Sequence, residues 1–164
     1  MAVWADQTGA VSGQPRVFDQ AGLFSETEII QLEEKIAQCR KSTKMDVVIV
    51  SAYADGERSA EEYADDYYDD NGYGYGENDS GILFLVAMDD REWNISTSGD
   101  AITAFTDAGL AYMEDQFVPD LSDGAYLDAF SKYTSLCDDF LTQAEKGEPY
   151  DTGHLPKKRY HHGG

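Results

Sequence analysis

The residues of this chain best suited to chemistry are its carboxylates, and one stretch sets several of them on a permissive backbone. Asp69, Asp70 and Asn71 enter a glycine-rich run ending at Gly76, and Asp79 follows just before an apolar segment. Carboxylate and amide oxygens on a loop that can wrap are what a hard cation such as calcium requires, since it takes about six to eight oxygens in a flexible shell. Asp107, at the expected start of a later helix, is read as a fourth carboxylate at the same end. Asp69, Asp70, Asp79 and Asp107 are therefore the candidate metal ligands, with calcium as the cation. Against this, the spacing departs from the EF-hand pattern, and acidic residues beside a helix also make plain solvated surface.

The other reactive types are sparser. Asp19, Asp55, Asp89, Asp90 and Arg91 follow expected strand ends and gather at the opposite end of a parallel sheet. Asp19, before a glycine turn, reads as an acceptor for local backbone N–H groups. Asp89 and Asp90 read as a hairpin turn, with Arg91 pairing to them. Cys39 is followed by Arg40 but has no arginine six residues on, and no Asp-x-Asp pair follows a strand, so the covalent phosphatase signatures are missing. Phosphoester hydrolysis here would need a bound metal to neutralise charge and activate water. Gly72, Gly74 and Gly76 lack the spacing of a dinucleotide fingerprint and lead into no helix, so no nucleotide is expected. His154, His161 and His162 all fall near the end of the chain, where a weak metal tract and a plain disordered end are both open readings. Cys39 and Cys137 stand alone on apolar helix faces and are read as free buried thiols in preference to a disulfide.

The elements that must position these groups follow from pattern. Arg16 to Phe18 reads as a short first strand. Ser25 with Glu28 is a capping box opening a helix whose stripe is Ile29, Leu32, Ile36 and Cys39, fading near Lys41. Met45 to Ala52 and Gly81 to Met88 are nearly continuous apolar runs, the mark of strands covered on both faces. Between them Ser59 caps a helix with an inner face of Ala60, Tyr63, Ala64 and Tyr67 and an acidic outer face. Arg91 to Thr97 alternates as a half-exposed strand, forming a hairpin with the strand before it. Thr106 caps a helix carrying Leu110, Met113 and Phe117 and stopped by Pro119. Ser122 caps a last helix with the stripe Tyr126, Phe130, Tyr133, Cys137 and Phe140 or Leu141. The order predicts a three-layer α/β/α sandwich, with right-handed crossovers and a mostly parallel central sheet bearing an antiparallel edge strand.

With 164 residues and a hydrophobic fraction of 41%, one core is expected, spanning residues 16–144, with flexible segments at 1–15 and 145–164. The 32 acidic against 12 basic residues give a net charge of -20, which repels nucleic acid and anionic lipid headgroups. The same field attracts cations and basic segments of partner proteins. No run of about 18 apolar residues occurs, so any membrane attachment is expected through an anchor outside this sequence.

Taken together, several blocks are similar to the TPM domain family. They include Val17-Phe18-Asp19, Gly22-Leu23-Phe24-Ser25, Ala64 to Asp69, Asn71 to Gly76, Gly81 to Leu85 and Asp89-Asp90-Arg91. Ser96-Thr97-Ser98-Gly99 and Thr103 to Asp107 continue the resemblance, which covers roughly residues 16–141. It implies an α/β domain held outside the cytoplasm, in bacteria often behind a signal peptide and ahead of a transmembrane helix. An extracytoplasmic accessory or interaction domain of a membrane-associated protein follows, with an envelope or membrane protein as partner and calcium as an associated cation. The alternative it implies is a metal-dependent acid phosphatase, since phosphatase activity is associated with some plant members.

Overall fold

The computed structural model describes residues 15–53, 56–89 and 91–156. Asp55, Asp90, His161 and His162, and the segment 1–14, lie outside the described residues. Four strands, β1 (Val17–Asp19), β2 (Asp46–Ala52), β3 (Gly81–Ala87) and β4 (Glu92–Ser98), form one sheet in that spatial order. β1, β2 and β3 run parallel and β4 returns antiparallel to β3, pairing from Ala87↔Glu92 to Gly81↔Ser98. The helices are α1 (Glu26–Thr43), α2 (Ala60–Asp70), the single turn α3 (Ala101–Ala104), α4 (Asp107–Ser122) and α5 (Tyr126–Glu145). The architecture is the α/β sandwich expected from sequence.

Strand parity divides the core. Val47, Ile49, Ile82, Phe84 and Val86 face a large layer with α1, α4 and α5, while Val48, Val50, Leu83 and Leu85 face α2. All seven residues of β2 and of β3 are buried, which is why both strands read as nearly continuous apolar runs. Phe84 centres the larger layer, with ring centroids of Phe117, Phe130 and Tyr133 at 4.8, 4.9 and 5.0 Å.

The expected capping box forms at Ser25/Glu28, and the expected cap Ser59 is completed into a second box by Glu62, each box tying off two free N–H groups and worth about 1 kcal/mol. Four sequence expectations are corrected. In α2 the deepest residues are Ala60, Ala64 and Tyr68, one ladder of four-residue steps, while Tyr63 and Tyr67 sit half-buried on its flank. Pro119 does not stop α4, which continues to Ser122. A proline near the last turn removes only one N–H, and packing of the buried Phe117 and half-buried Val118 and Leu121 holds the turn. Ser122 accordingly ends α4 and does not cap α5, whose N-cap is Ala125 with no side-chain hydrogen bond.

The fourth correction concerns handedness. The connections through α1 and α2 step the same way across the sheet but lie on opposite faces. Their hands are therefore opposite, and one is of the uncommon left-handed kind. The ordered chain also passes the end of α5: Tyr150 packs its ring 4.7 Å from that of Phe140, and the Thr106 hydroxyl donates to the Tyr150 carbonyl.

Candidate functional site

A buried ionic network at the amino-terminal end of the parallel strands fixes everything around it. Asp46 opens β2 fully buried. Its Oδ1 accepts from Arg16 Nε at 2.8 Å and Arg40 Nε at 2.9 Å, and its Oδ2 from Arg16 Nη2 at 3.1 Å and the Gly74 N–H at 2.9 Å. Glu33 of α1 accepts from the Arg16 and Val17 N–H groups at 2.8 and 2.9 Å. Burial, the largest influence, pushes the Glu33 carboxyl above its ordinary value, with the two backbone N–H donors pulling it back. Arg16 lies over the Tyr73 ring and Arg40 over the Tyr75 ring, so the glycine-rich loop is clasped to β1, β2 and α1 at once. The loop closes at Gly74, whose φ is +119° and where a Cβ would lie 2.5 Å from the Asp79 backbone. Sequence reasoning missed this network; its signal was a lone aspartate heading an otherwise apolar strand.

The loop's carboxylates do not form a calcium shell. Asp69 and Asp70 end α2, pointing to solvent, and Asn71 bonds back to the Tyr67 carbonyl. Asp79 sits at φ +51° with its carbonyl accepting from the Tyr68 hydroxyl at 2.9 Å, and Asp107 belongs to the first turn of α4. Among the described residues, no three His, Cys, Asp or Glu side chains converge in a way that could hold a metal ion. In this conformation the residues present do not fit the cation.

What the fold assembles instead is a flank between α2 and β4. Asp65 and Asp69, one helical turn apart, line a cavity of about 270 Å3 with Tyr68, Ser96, Thr97 and Ser98. The Ser96 hydroxyl donates to Asp65 at 2.6 Å and is in reach of the Asn94 amide at 3.1 Å, so the cavity presents carboxylate and hydroxyl oxygens. α2 contributes six acids, Glu61, Glu62, Asp65, Asp66, Asp69 and Asp70, and no base. Arg58, before the helix, bonds Asp66 and stacks on Tyr63.

At the other end of the sheet, the connections leaving β1 and β2 part to opposite faces, a geometry that opens a crevice between strand ends. Asp19 fills it: Oδ1 accepts from the Leu23 N–H and the Ser51 hydroxyl, Oδ2 from the Phe24 N–H. Both oxygens are thereby committed to local structure. Arg91, expected to pair with the turn aspartates, has no side-chain hydrogen bond or ion pair among the described residues and takes φ +56°. It stands with Glu92 and Ser122 at the rim of a mostly apolar slot of about 130 Å3 whose other walls include Met88, Trp93, Leu121 and Tyr126.

The thiols are inert. Both cysteines are free and buried; burial pushes the Cys39 thiol up to about 12 and Cys137 well above 9.0. Alkylation should therefore be negligible in the folded protein and reach both cysteines on unfolding without reductant; a mass showing neither modified would contradict the structure. A groove of about 570 Å3 between α1 and α5 carries Lys35, already bonded to the Ser135 hydroxyl at 2.9 Å.

Comparison with known proteins agrees with this architecture. The TPM domain profile matches residues 17–140. The protein YdjH of Bacillus subtilis (strain 168) is 28% identical over 123 residues, covering 75% of this chain. The chain spans only 46% of that relative's length. Among solved structures, the N-terminal domain of a P. gingivalis protein superposes with a TM-score of 0.69 at 19% identity, over 84% of this chain and 87% of the other. BA42 from the psychrophilic bacterium Bizionia argentinensis gives 0.66 at 13%, over 82% and 90%. These structural likenesses speak to fold alone, whereas the profile spans most of the sequence from β1 into α5: the chain belongs to the TPM domain family.

Proposed function

We propose that this domain is an extracytoplasmic accessory module of a membrane-associated protein that recognises a cationic partner. The observation carrying this reading is the α2–β4 flank, where Asp65 and Asp69, on a helix with six acids and no base, line a cavity with the hydroxyls of Ser96, Thr97 and Ser98. A net charge of -20 draws a basic protein segment toward such a surface and steers it electrostatically. The partner is an envelope or membrane protein, and the family resemblance supports the location. An export signal or membrane anchor in the complete open reading frame is the expected finding, and a frame encoding neither would overturn the placement. Divalent cations act on the domain by screening its charge, since its loop carboxylates do not converge.

The second reading, metal-dependent phosphoester hydrolysis, draws on Arg91, a cation without a side-chain partner among the described residues beside an apolar slot. One set of measurements separates the two. Aryl phosphate hydrolysis with calcium, magnesium or manganese should not exceed that of Arg91→Ala, and turnover abolished by that substitution would favour the phosphatase. Melts at matched ionic strength should rise equally with calcium and magnesium, in wild type and in Asp79→Asn alike. A calcium-specific rise lost in that variant would restore a chelate site.

A further inference from the structure

The flank has a second property, independent of its charge. β4 is an edge strand of seven residues with an unbroken register against β3 and no lysine, proline or bulge along it. Among the described residues no other strand pairs with it, and the two isolated bridges lie elsewhere, at Tyr75↔Ser80 and Asp151↔His154. An edge of this kind offers a row of N–H and C=O groups to another chain, and most proteins blunt it with lysine, proline or a bulge. Two cavities flank this same strand on opposite faces. The apolar slot with Trp93 lies on the α4 side near its start, and the acidic cavity with Ser96 and Ser98 lies on the α2 side near its end.

We infer that β4 accepts an extended basic segment of a partner protein as a fifth strand. The inference rests on the interaction reading above and names the partner's chemistry. Side chains alternate between faces with a period of two, so a residue opposite Trp93 points to the slot and residues opposite Ser96 and Ser98 point to Asp65 and Asp69. The partner must then carry an apolar residue and basic residues an odd number of positions away, three and five. Main-chain hydrogen bonds supply affinity and the alternate pockets supply specificity.

The test uses the full chain and a fluorescein-labelled peptide, Thr-Lys-Thr-Lys-Thr-Thr-Leu-Thr, arranged for antiparallel addition, followed by fluorescence anisotropy. Moving both lysines one place toward the leucine puts all three side chains on one face at unchanged charge, and affinity should fall about tenfold or more. Of two versions N-methylated on alternate amides, each blocking one edge of the peptide, one should bind and the other fail. Asp65→Asn with Asp69→Asn should weaken the matched peptide by a similar factor, and neither residue is buried, so folding is retained. Binding that depends on Asp65 and Asp69 but ignores side-chain parity and N-methylation would remove the strand and leave the interaction reading standing. Absence of charge-dependent binding would remove both. Tighter binding after deletion of residues 157–164 would make Lys157, Lys158 and Arg159 of this chain the occupant, and dimerisation at rising concentration would make it a second copy. Either result overturns a separate partner.

Discussion

Asp46→Ala should lower the unfolding free energy by about 3–5 kcal/mol, the scale for breaking a buried ion pair from one side. The carboxylate is wholly buried, and the Arg16 and Arg40 side chains are only 6% and 14% exposed. Removing it takes from two largely buried guanidinium groups the carboxylate they share and frees the Gly74 and Val47 N–H groups, which both bond it. Set against a typical total of about 5–15 kcal/mol, that loss moves the urea midpoint far. The cause is separable from lost packing. Replacing Arg16, Asp46 and Arg40 together by methionine or leucine removes the positive charge which that carboxylate had compensated and should recover part of the loss, with the two N–H groups contributing to the remainder. A triple variant no more stable than Asp46→Ala would show that the charges were not the issue.

Phe84→Ala should cost a similar amount, about 3–5 kcal/mol, for a different reason. Its ring is fully buried and contacts rings from α4 and α5 as well as Trp93 of β4 at 6.1 Å. Truncation opens a void between the sheet and both helices that rigid neighbours fill poorly. Phe84→Leu keeps most of the volume and should retain more than half of the stability lost by alanine. Urea unfolding of the two variants checks the order, and equal losses would place Phe84 outside the core's centre.

The fold was legible where physics is local. Ser25 and Ser59 announced their helices because a cap or capping box needs only a few neighbouring residues, and β2 and β3 announced their burial through nearly continuous apolar runs. Pro119 and Ser122 misled because tertiary packing, which sequence pattern does not display, carried α4 one turn further. Crossover hand was equally hidden: it depends on which face each helix takes, and both faces of β2 are apolar. At the candidate site, the acidic character of α2 was plain, but its use was not. Asp69, Asp70, Asp79 and Asp107 looked like one cluster because a loop's closure cannot be read from composition. The closure is set by Asp46, distant in sequence, which fixes Gly74, and by Tyr68, whose hydroxyl fixes the Asp79 carbonyl.

Residue-resolved amide hydrogen exchange with the matched peptide tests the recognition surface most directly. With free peptide tenfold above its dissociation constant, the outward amides of Glu92–Ser98 should exchange about ten times more slowly, as expected when binding must be released before they open. Amides of β3, already paired on both sides, should change little. Saturable binding that slows the Asp19 to Phe24 loop or the α1–α5 groove, and leaves β4 exchanging as before, would contradict the account.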